Sequence, residues 1–479
     1  MSLKQKSVSA VVWNSVERFS VQGVNFVVSV LIARLVSPDD FGVIAMLAIF
    51  LGVANTFVDS GFANALIKKL DRTEVDNSTA FYFNIAVGLV AYFVLFFTAP
   101  LIARIYSMPA LADVLRVSAF SVVFNSLAIV QQAILTANIN FKSQAIISLA
   151  AAVVSGVIGV VMAYAGFGVW ALVAQMLGSS FVRMALLWVI VRWKPLAAFS
   201  VKSFREIFGY GSKLLLSQLV VNISGGITGP IIGLRFSAAS LGYYNRAEQL
   251  SNFPVTNISS ILQRTTFPVL CKLQYDVVAL HHYYLKIISI TSMLVMPVMA
   301  LFVVFAEPLI LTLLTDKWLP AVQLMQILVF VAIWAPFSAL NINIICVVGR
   351  SDYVLKIELF KGLLRIAAIL LSMPYGLAAV CYALVAVSFL SSFVYTGHTK
   401  HSVGVGWLQQ TRCMVPYILM SAAASLVAYV LSCLLSMSFL KLLAGIVAFV
   451  VVYVLLLLRF DRQNMVFLKS LVPRRHKEL

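Results

Sequence analysis

The sequence predicts an all-α polytopic membrane protein of about fourteen transmembrane helices: two parallel six-helix repeats, then two further helices. Three observations carry this. Hydrophobic residues make up 62% of the chain and charged residues only 11%, with a mean hydropathy of +0.99; soluble domains carry about 25% charged residues. The apolar residues fall in runs long enough to cross a bilayer, divided by short polar loops. One segment also recurs: Ile32, Ser37 and Phe41-Gly42 align without a gap with Ile232, Ser237 and Leu241-Gly242.

Taken in order, the first six spans read as about 11–35, 40–66, 78–99, 114–137, 143–165 and 167–191. A basic connector follows, from Arg192-Trp193-Lys194 through Lys202 and Arg205. The next six are about 206–234, 240–266, 284–306, 319–347, 352–372 and 375–397. After His398–Arg412, the last two run at about 413–435 and 438–459. This gives one lobe over residues 1–200, a second over 201–400, and two extra helices with a basic tail over 401–479. Gly166-Phe167-Gly168-Val169 and Pro374-Tyr375-Gly376-Leu377 echo each other as tight turns before the sixth helix of each half.

Six spans per half is an even number, so both repeats enter from the same side and are related by an axis along the membrane normal. Lys and Arg concentrate in alternate loops, which places both termini in the cytoplasm by the positive-inside rule. The net charge of +18 is therefore a membrane-topology signal and not a nucleic-acid footprint. The cluster from Arg459 to Lys477 reads as a cytoplasmic anchor near anionic lipid. Lys4 and Lys6 precede a segment too long and too polar for a cleavable signal.

The first span is not a plain lipid-facing helix. Asn14, Arg18, Gln22, Asn25 and Ser29 fall within a wedge of roughly 80°, with Glu17 at its flank. Lipid offers such a stripe no partners, so it must face protein or water. In the second copy, Gly211, Gln218, Asn222, Gly225 and Gly229 share a face, and Asn222 aligns with Gln22. Paired cavity-lining helices in two repeats point to a transporter.

Eight ionisable residues fall well inside spans: Glu17, Arg18, Asp59, Arg183, Lys213, Glu358, Lys361 and Arg365. At roughly 3 kcal/mol each, lipid exposure of all eight would exceed a typical net stability of about 5–15 kcal/mol. Most must face inward. Glu17, Arg18, Asp59 and Arg183 share one depth and are expected to cluster in the cytoplasmic half. The alternative is structural ion pairing, Arg18 with Asp59 and Glu358 with Lys361. Arg18, Arg183 and Arg365 are the candidates for an anionic group, since guanidinium forks match phosphate. Arg246 and Arg264 lie near the ends of the eighth span as contacts on the substrate path or interfacial anchors. Glu17 and Asp59 are the candidates for coupling to H⁺ or Na⁺, with pairing to Arg18 as the competing role.

Enzymatic and metal signatures are missing. There is no Walker A pattern, H-E-x-x-H or G-x-S-x-G. His398 and His401 lack a third ligand, and the five cysteines show no C-x-x-C spacing, so neither a metal nor another cofactor is expected. Asn77-Ser78-Thr79 matches a glycosylation sequon, but on the cytoplasmic side.

Several stretches in fixed order resemble a known family: Ser37-Pro38-Asp39-Asp40-Phe41-Gly42, Asp59-Ser60-Gly61-Phe62, Leu241-Gly242-Tyr243-Tyr244-Asn245-Arg246-Ala247, Phe267-Pro268-Val269-Leu270, Lys317-Trp318-Leu319-Pro320 and Gly349-Arg350-Ser351-Asp352. Over the first twelve spans the chain resembles Wzx-type polysaccharide flippases. Its closest likeness is to the colanic-acid-exporter-like branch of the multidrug/oligosaccharidyl-lipid/polysaccharide exporter superfamily. The resemblance implies two six-helix lobes in a V that open alternately to cytoplasm and periplasm of the bacterial inner membrane. It implies an undecaprenyl-diphosphate-linked oligosaccharide as cargo, and pathway glycosyltransferases and a polymerase as partners. Arg18, Arg183, Arg365 and Lys361 would meet the diphosphate; Asn14, Gln22, Asn25, Gln218 and Asn222 would meet sugar hydroxyls. A multidrug exporter of the same superfamily should instead carry a carboxylate-dominated pocket. A membrane polymerase or ligase should carry a large outer loop, and the outer loops here are short.

Overall fold

A computed structural model describes residues 3–59, 61–69, 71–435, 437–461 and 464, with side chains from Trp13 onward except at Tyr210, Lys213, Ser217, Val221, Arg264, Ser351, Asp352 and Leu355. The Lys213 and Arg264 side chains and the basic tail past residue 464 lie outside the described residues. By packing, the chain forms two units, Met1–Gly242 and Tyr243–Leu479.

The first unit contains α1 (Leu3–Leu35), α2 (Pro38–Asp59), α3 (Phe62–Lys68), α4 (Glu74–Ile105), α5 (Ala110–Ser118), α6 (Phe120–Ala137), α7 (Phe141–Tyr164), α8 (Val169–Val191), α9 (Val201–Gly226) and α10 (Thr228–Arg235). Helix α11 (Ala238–Lys272) begins there and continues into the second unit. That unit holds α12 (Val277–Val304), α13 (Ala306–Leu313), α14 (Pro320–Ala332), α15 (Trp334–Val347), α16 (Ser351–Ser372), α17 (Leu377–Val403), α18 (Trp407–Cys433) and α19 (Ser438–Phe460). No strand occurs among the described residues. The packing boundary falls after the start of the second repeat because α9 and α10 pack on α2, α3 and α4.

Twelve helices among the described residues are long and apolar enough to cross a membrane, against the fourteen spans expected. The two that fall short are α11 and α16. Helix α11 is long but rich in Asn, Gln, Ser and Thr, and contains Pro254 and Pro268. Helix α16 carries Lys356, Glu358, Lys361 and Arg365 within its 22 residues. Both owe the shortfall to polar side chains.

The repeat is visible in local geometry. The Ser37 hydroxyl accepts from the Asp40 amide at 3.2 Å at the start of α2, and the Ser237 hydroxyl accepts from the Ser240 amide at 3.1 Å at the start of α11. Helix α6 ends with Ile139 at φ +56, the Asn140 amide donating to the Leu135 carbonyl. Helix α15 ends the same way, with Gly349 at φ +81 and the Arg350 amide donating to the Ile345 carbonyl. Gly168 and Gly376, both at positive φ, precede α8 and α17. The two copied helix starts also touch reciprocally. A Cβ on Gly42 would overlap the Ala238 carbonyl, and one on Gly242 would overlap the Pro38 carbonyl. Equivalent positions thus meet each other's equivalents, the signature of a two-fold relation.

The connector after α8 is held by the start of α4. Thr73 and Asp76 form a capping box there. The Leu196 amide donates to the Ser78 hydroxyl at 2.9 Å, the Ser200 amide donates to the Thr79 hydroxyl at 3.0 Å, and the Trp193 indole donates to Glu74. The sequon-like Asn77-Ser78-Thr79 is therefore a buried docking strip for the connector. In the second unit, α18 packs along α12 and α19, and the Tyr453 hydroxyl donates to the Met293 carbonyl at 2.9 Å. Tyr284, Asn341, Thr399 and Gln410 form a buried polar knot that joins α12, α15, α17 and α18. The last two helices, an appendage by sequence, share the core of this unit.

Candidate functional site

Helix α7 packs against both α1 and α8. Gly156 lies against Val28, and Gly159 lies between Ile32 and Gln175, so the three helices approach closely. At one end of this group, Val28, Ile32, Val36, Ala163 and Ala171 close a dry apolar core. At the other, where α1 and α7 begin and α8 ends, the helices leave a cavity of about 670 Å³. Its walls carry Asn14, Glu17, Arg18, Gln22 and Asn25 from α1. Gln144 and Ser148 come from α7, and Ser179 and Arg183 from α8. The polar stripe of the first span thus faces a cavity with two guanidinium groups and four side-chain amides.

The Ser148 hydroxyl donates to Glu17 Oε1 at 2.6 Å, and Gln144 Nε2 donates to the Thr136 hydroxyl at 2.8 Å. The expected cluster of four charges is brought together only in part. Glu17, Arg18 and Arg183 line the cavity, whereas Asp59, exposed at the end of α2, does not. The Arg18–Asp59 ion pair does not form; the cation within electrostatic reach of Asp59 is Arg183. The reason is reach along the bundle: Asp59 closes α2, which packs on α8, while Arg18 sits on α1 beyond α7.

In the second repeat, Asn222 Nδ2 donates to the Thr56 hydroxyl at 2.6 Å, and Gln218 is exposed. Neither lines the cavity of α1, α7 and α8. Arg246 is buried, its guanidinium 5.4 Å from the Trp318 ring centroid and its Nη1 donating to Gln249 at 2.7 Å. In this structure it is packed between Trp318 and Gln249. Lys361 lies 3.8 Å from Glu358, the helical ion pair the spacing suggested. Glu358 also accepts from the Tyr395 hydroxyl. Arg365 belongs to this second unit, together with Glu248 of α11. Sequence reasoning missed Gln144, Ser148 and Glu248. A serine within a span carries no signal of its own, and Glu248 stands in a helix so polar that its carboxylate does not stand out.

Comparisons with known proteins give the fold and the family. A solved structure titled lipid II flippase MurJ, inward closed conformation, covers 97% of this chain and 100% of its own at a TM-score of 0.75 and 15% identity. An inward-facing multidrug resistance MATE family transporter of the MOP superfamily covers 82% of this chain and 98% of its own, at a TM-score of 0.63 and 15% identity. The fold is that of a MurJ/MATE-like membrane transporter. The chain belongs to the polysaccharide biosynthesis protein family, whose sequence profile matches residues 31–323. Among similar curated proteins, the teichuronic acid biosynthesis protein TuaB of Bacillus subtilis is 25% identical over 73% of each chain. The lipopolysaccharide biosynthesis protein WzxC of Escherichia coli is 22% identical over 78% of this chain and 76% of its own. The succinoglycan biosynthesis transport protein ExoT of Rhizobium meliloti is 24% identical over 64% and 62%. The protein is a multi-pass membrane protein of this polysaccharide biosynthesis family with a transporter fold, and its relatives are transport and biosynthesis proteins of surface polysaccharides.

Proposed function

We propose that the protein moves an undecaprenyl-diphosphate-linked oligosaccharide from the inner to the outer leaflet of the bacterial cytoplasmic membrane by alternating access, with both termini in the cytoplasm. The observation that carries this reading is the cavity of α1, α7 and α8, where Arg18 and Arg183 share walls with Asn14, Gln22, Asn25 and Gln144. A diphosphate needs fork-shaped cationic donors, and sugar hydroxyls need groups that both donate and accept; the cavity supplies both. Glu17, engaged by Ser148, offsets one of the two arginines, so the wall keeps a positive surplus. That surplus favours an anionic cargo over the cationic drugs of multidrug exporters. Arg365 and Lys361 would meet the cargo later in its passage. Glycosyltransferases and a polymerase of one pathway would supply and consume it.

The test is export of surface polymer by a flippase-null strain that carries Arg18→Ala, Arg183→Ala or both. Variants that reach the membrane should export less polymer, the double variant least. Full export by the double variant contradicts the reading.

A further inference from the structure

A carboxylate in the second unit remains unused by the cavity of α1, α7 and α8. Glu248 lies on α11 one turn after Tyr244, whose hydroxyl donates to its Oε1 at 3.2 Å. Tyr244 is only 2% exposed and Glu248 is half-buried, so the hydroxyl end of this bond is packed and the carboxylate end keeps some access. From α16, Arg365 brings positive charge within electrostatic reach of both groups. From α17, the buried Cys381 thiol is within electrostatic reach of Glu248, and the Tyr395 hydroxyl, within electrostatic reach of Arg365, donates to Glu358. Lys361 completes the set beside Glu358. On α11 itself, Arg246 turns away over Trp318.

Two acids and two bases make this cluster neutral when both carboxyls are ionised. One added proton leaves a surplus positive charge. In a half-buried site that change alters the cluster's energy more than it would in water. Intramembrane carboxylates with a named cationic partner are where transporters carry protons. The two carboxylates suggested by sequence are less suited: Glu17 borders an open cavity, and Asp59 is exposed at a helix end.

We propose that Glu248 is the proton-carrying residue of transport, with Tyr244 as its positioning residue and Arg365 as its counter-charge. A proton from water on one side adds to a Glu248 carboxylate oxygen and later leaves that oxygen for water on the other side. No other bond forms or breaks. This rests on the transporter reading above, yet its test does not depend on the cargo.

The full chain, reconstituted in liposomes, is compared at acid and alkaline pH by infrared difference spectroscopy, which reads the C=O stretch of a protonated carboxyl. The wild type should show such a band; Glu248→Gln should abolish it, and Glu17→Gln and Asp59→Asn should keep it. Tyr244→Phe, which retains the carboxyl, should move the band's frequency and titration midpoint. A band that survives Glu248→Gln unchanged, or one unmoved by Tyr244→Phe, overturns the proposal. With undecaprenyl-diphosphate-linked oligosaccharide as the probe, Glu248→Gln should lose the response of transport to an imposed pH gradient. A retained response overturns the proposal too. Failure of the wild type to bind undecaprenyl diphosphate would instead contradict the cargo assignment and leave the infrared result standing.

Discussion

Arg18 and Arg183 reach one cavity from helices that both pack on α7, so each should hold part of the same anion. A hydrogen bond to a charged group contributes about 1.5–3 kcal/mol, so Arg18→Ala or Arg183→Ala should weaken undecaprenyl diphosphate binding about 10- to 100-fold. Isothermal titration of the purified protein measures this. Ile139 offers a separate test at the same scale. A β-branched residue at φ +56 sits where the other repeat has Gly349, and the left-handed conformation costs an L-residue roughly 1–2 kcal/mol. Ile139→Gly should therefore stabilise the protein by up to about 1 kcal/mol after glycine's own entropic cost, read as a higher thermal midpoint in detergent. The arginines were legible in the sequence because charge inside a span is rare and their helix period aligned them with amides. Ser148 and Glu248 were not, since both acquire meaning only from a neighbouring helix.

Helix starts and helix contacts carry the next set of expectations. Gly42 and Gly242 each meet the other copy's carbonyl, so Gly42→Ala and Gly242→Ala should each force the crossing apart. Overpacking of this kind costs about 1–3 kcal/mol, and the double variant should cost less than the sum because both relieve one contact. Thermal unfolding of the three variants decides it. The polar knot on α18 gives a fourth expectation: Gln410→Leu removes donors to Asn341 and Tyr284 and should destabilise by about 1–3 kcal/mol in the same assay. The gapless alignment of residues 32–42 with 232–242 identified the repeated element in advance. It could not reveal that the copies touch, because close approach depends on a missing Cβ and not on hydropathy. The knot was equally hidden, for Tyr, Asn, Thr and Gln on four different helices form no pattern along the chain.

For the molecule as a whole, composition and periodicity sufficed to identify a polytopic helical transporter, and the family profile and the MurJ-like fold agree. The two expected spans that fall short in apolar character, α11 and α16, are also the ones that carry Glu248 and Arg365. A hydropathy reading is weakest where a transporter places its polar machinery. Packing boundaries were not legible, because α9 and α10 join the first unit through contacts far apart in sequence. The measurement that bears most directly on the cavity's role is binding of undecaprenyl diphosphate to purified wild-type protein and to the Arg18→Ala/Arg183→Ala double variant. Saturable binding by the wild type, lost in a double variant that keeps the wild-type thermal midpoint, is the predicted result. Equal affinity in both proteins would contradict it.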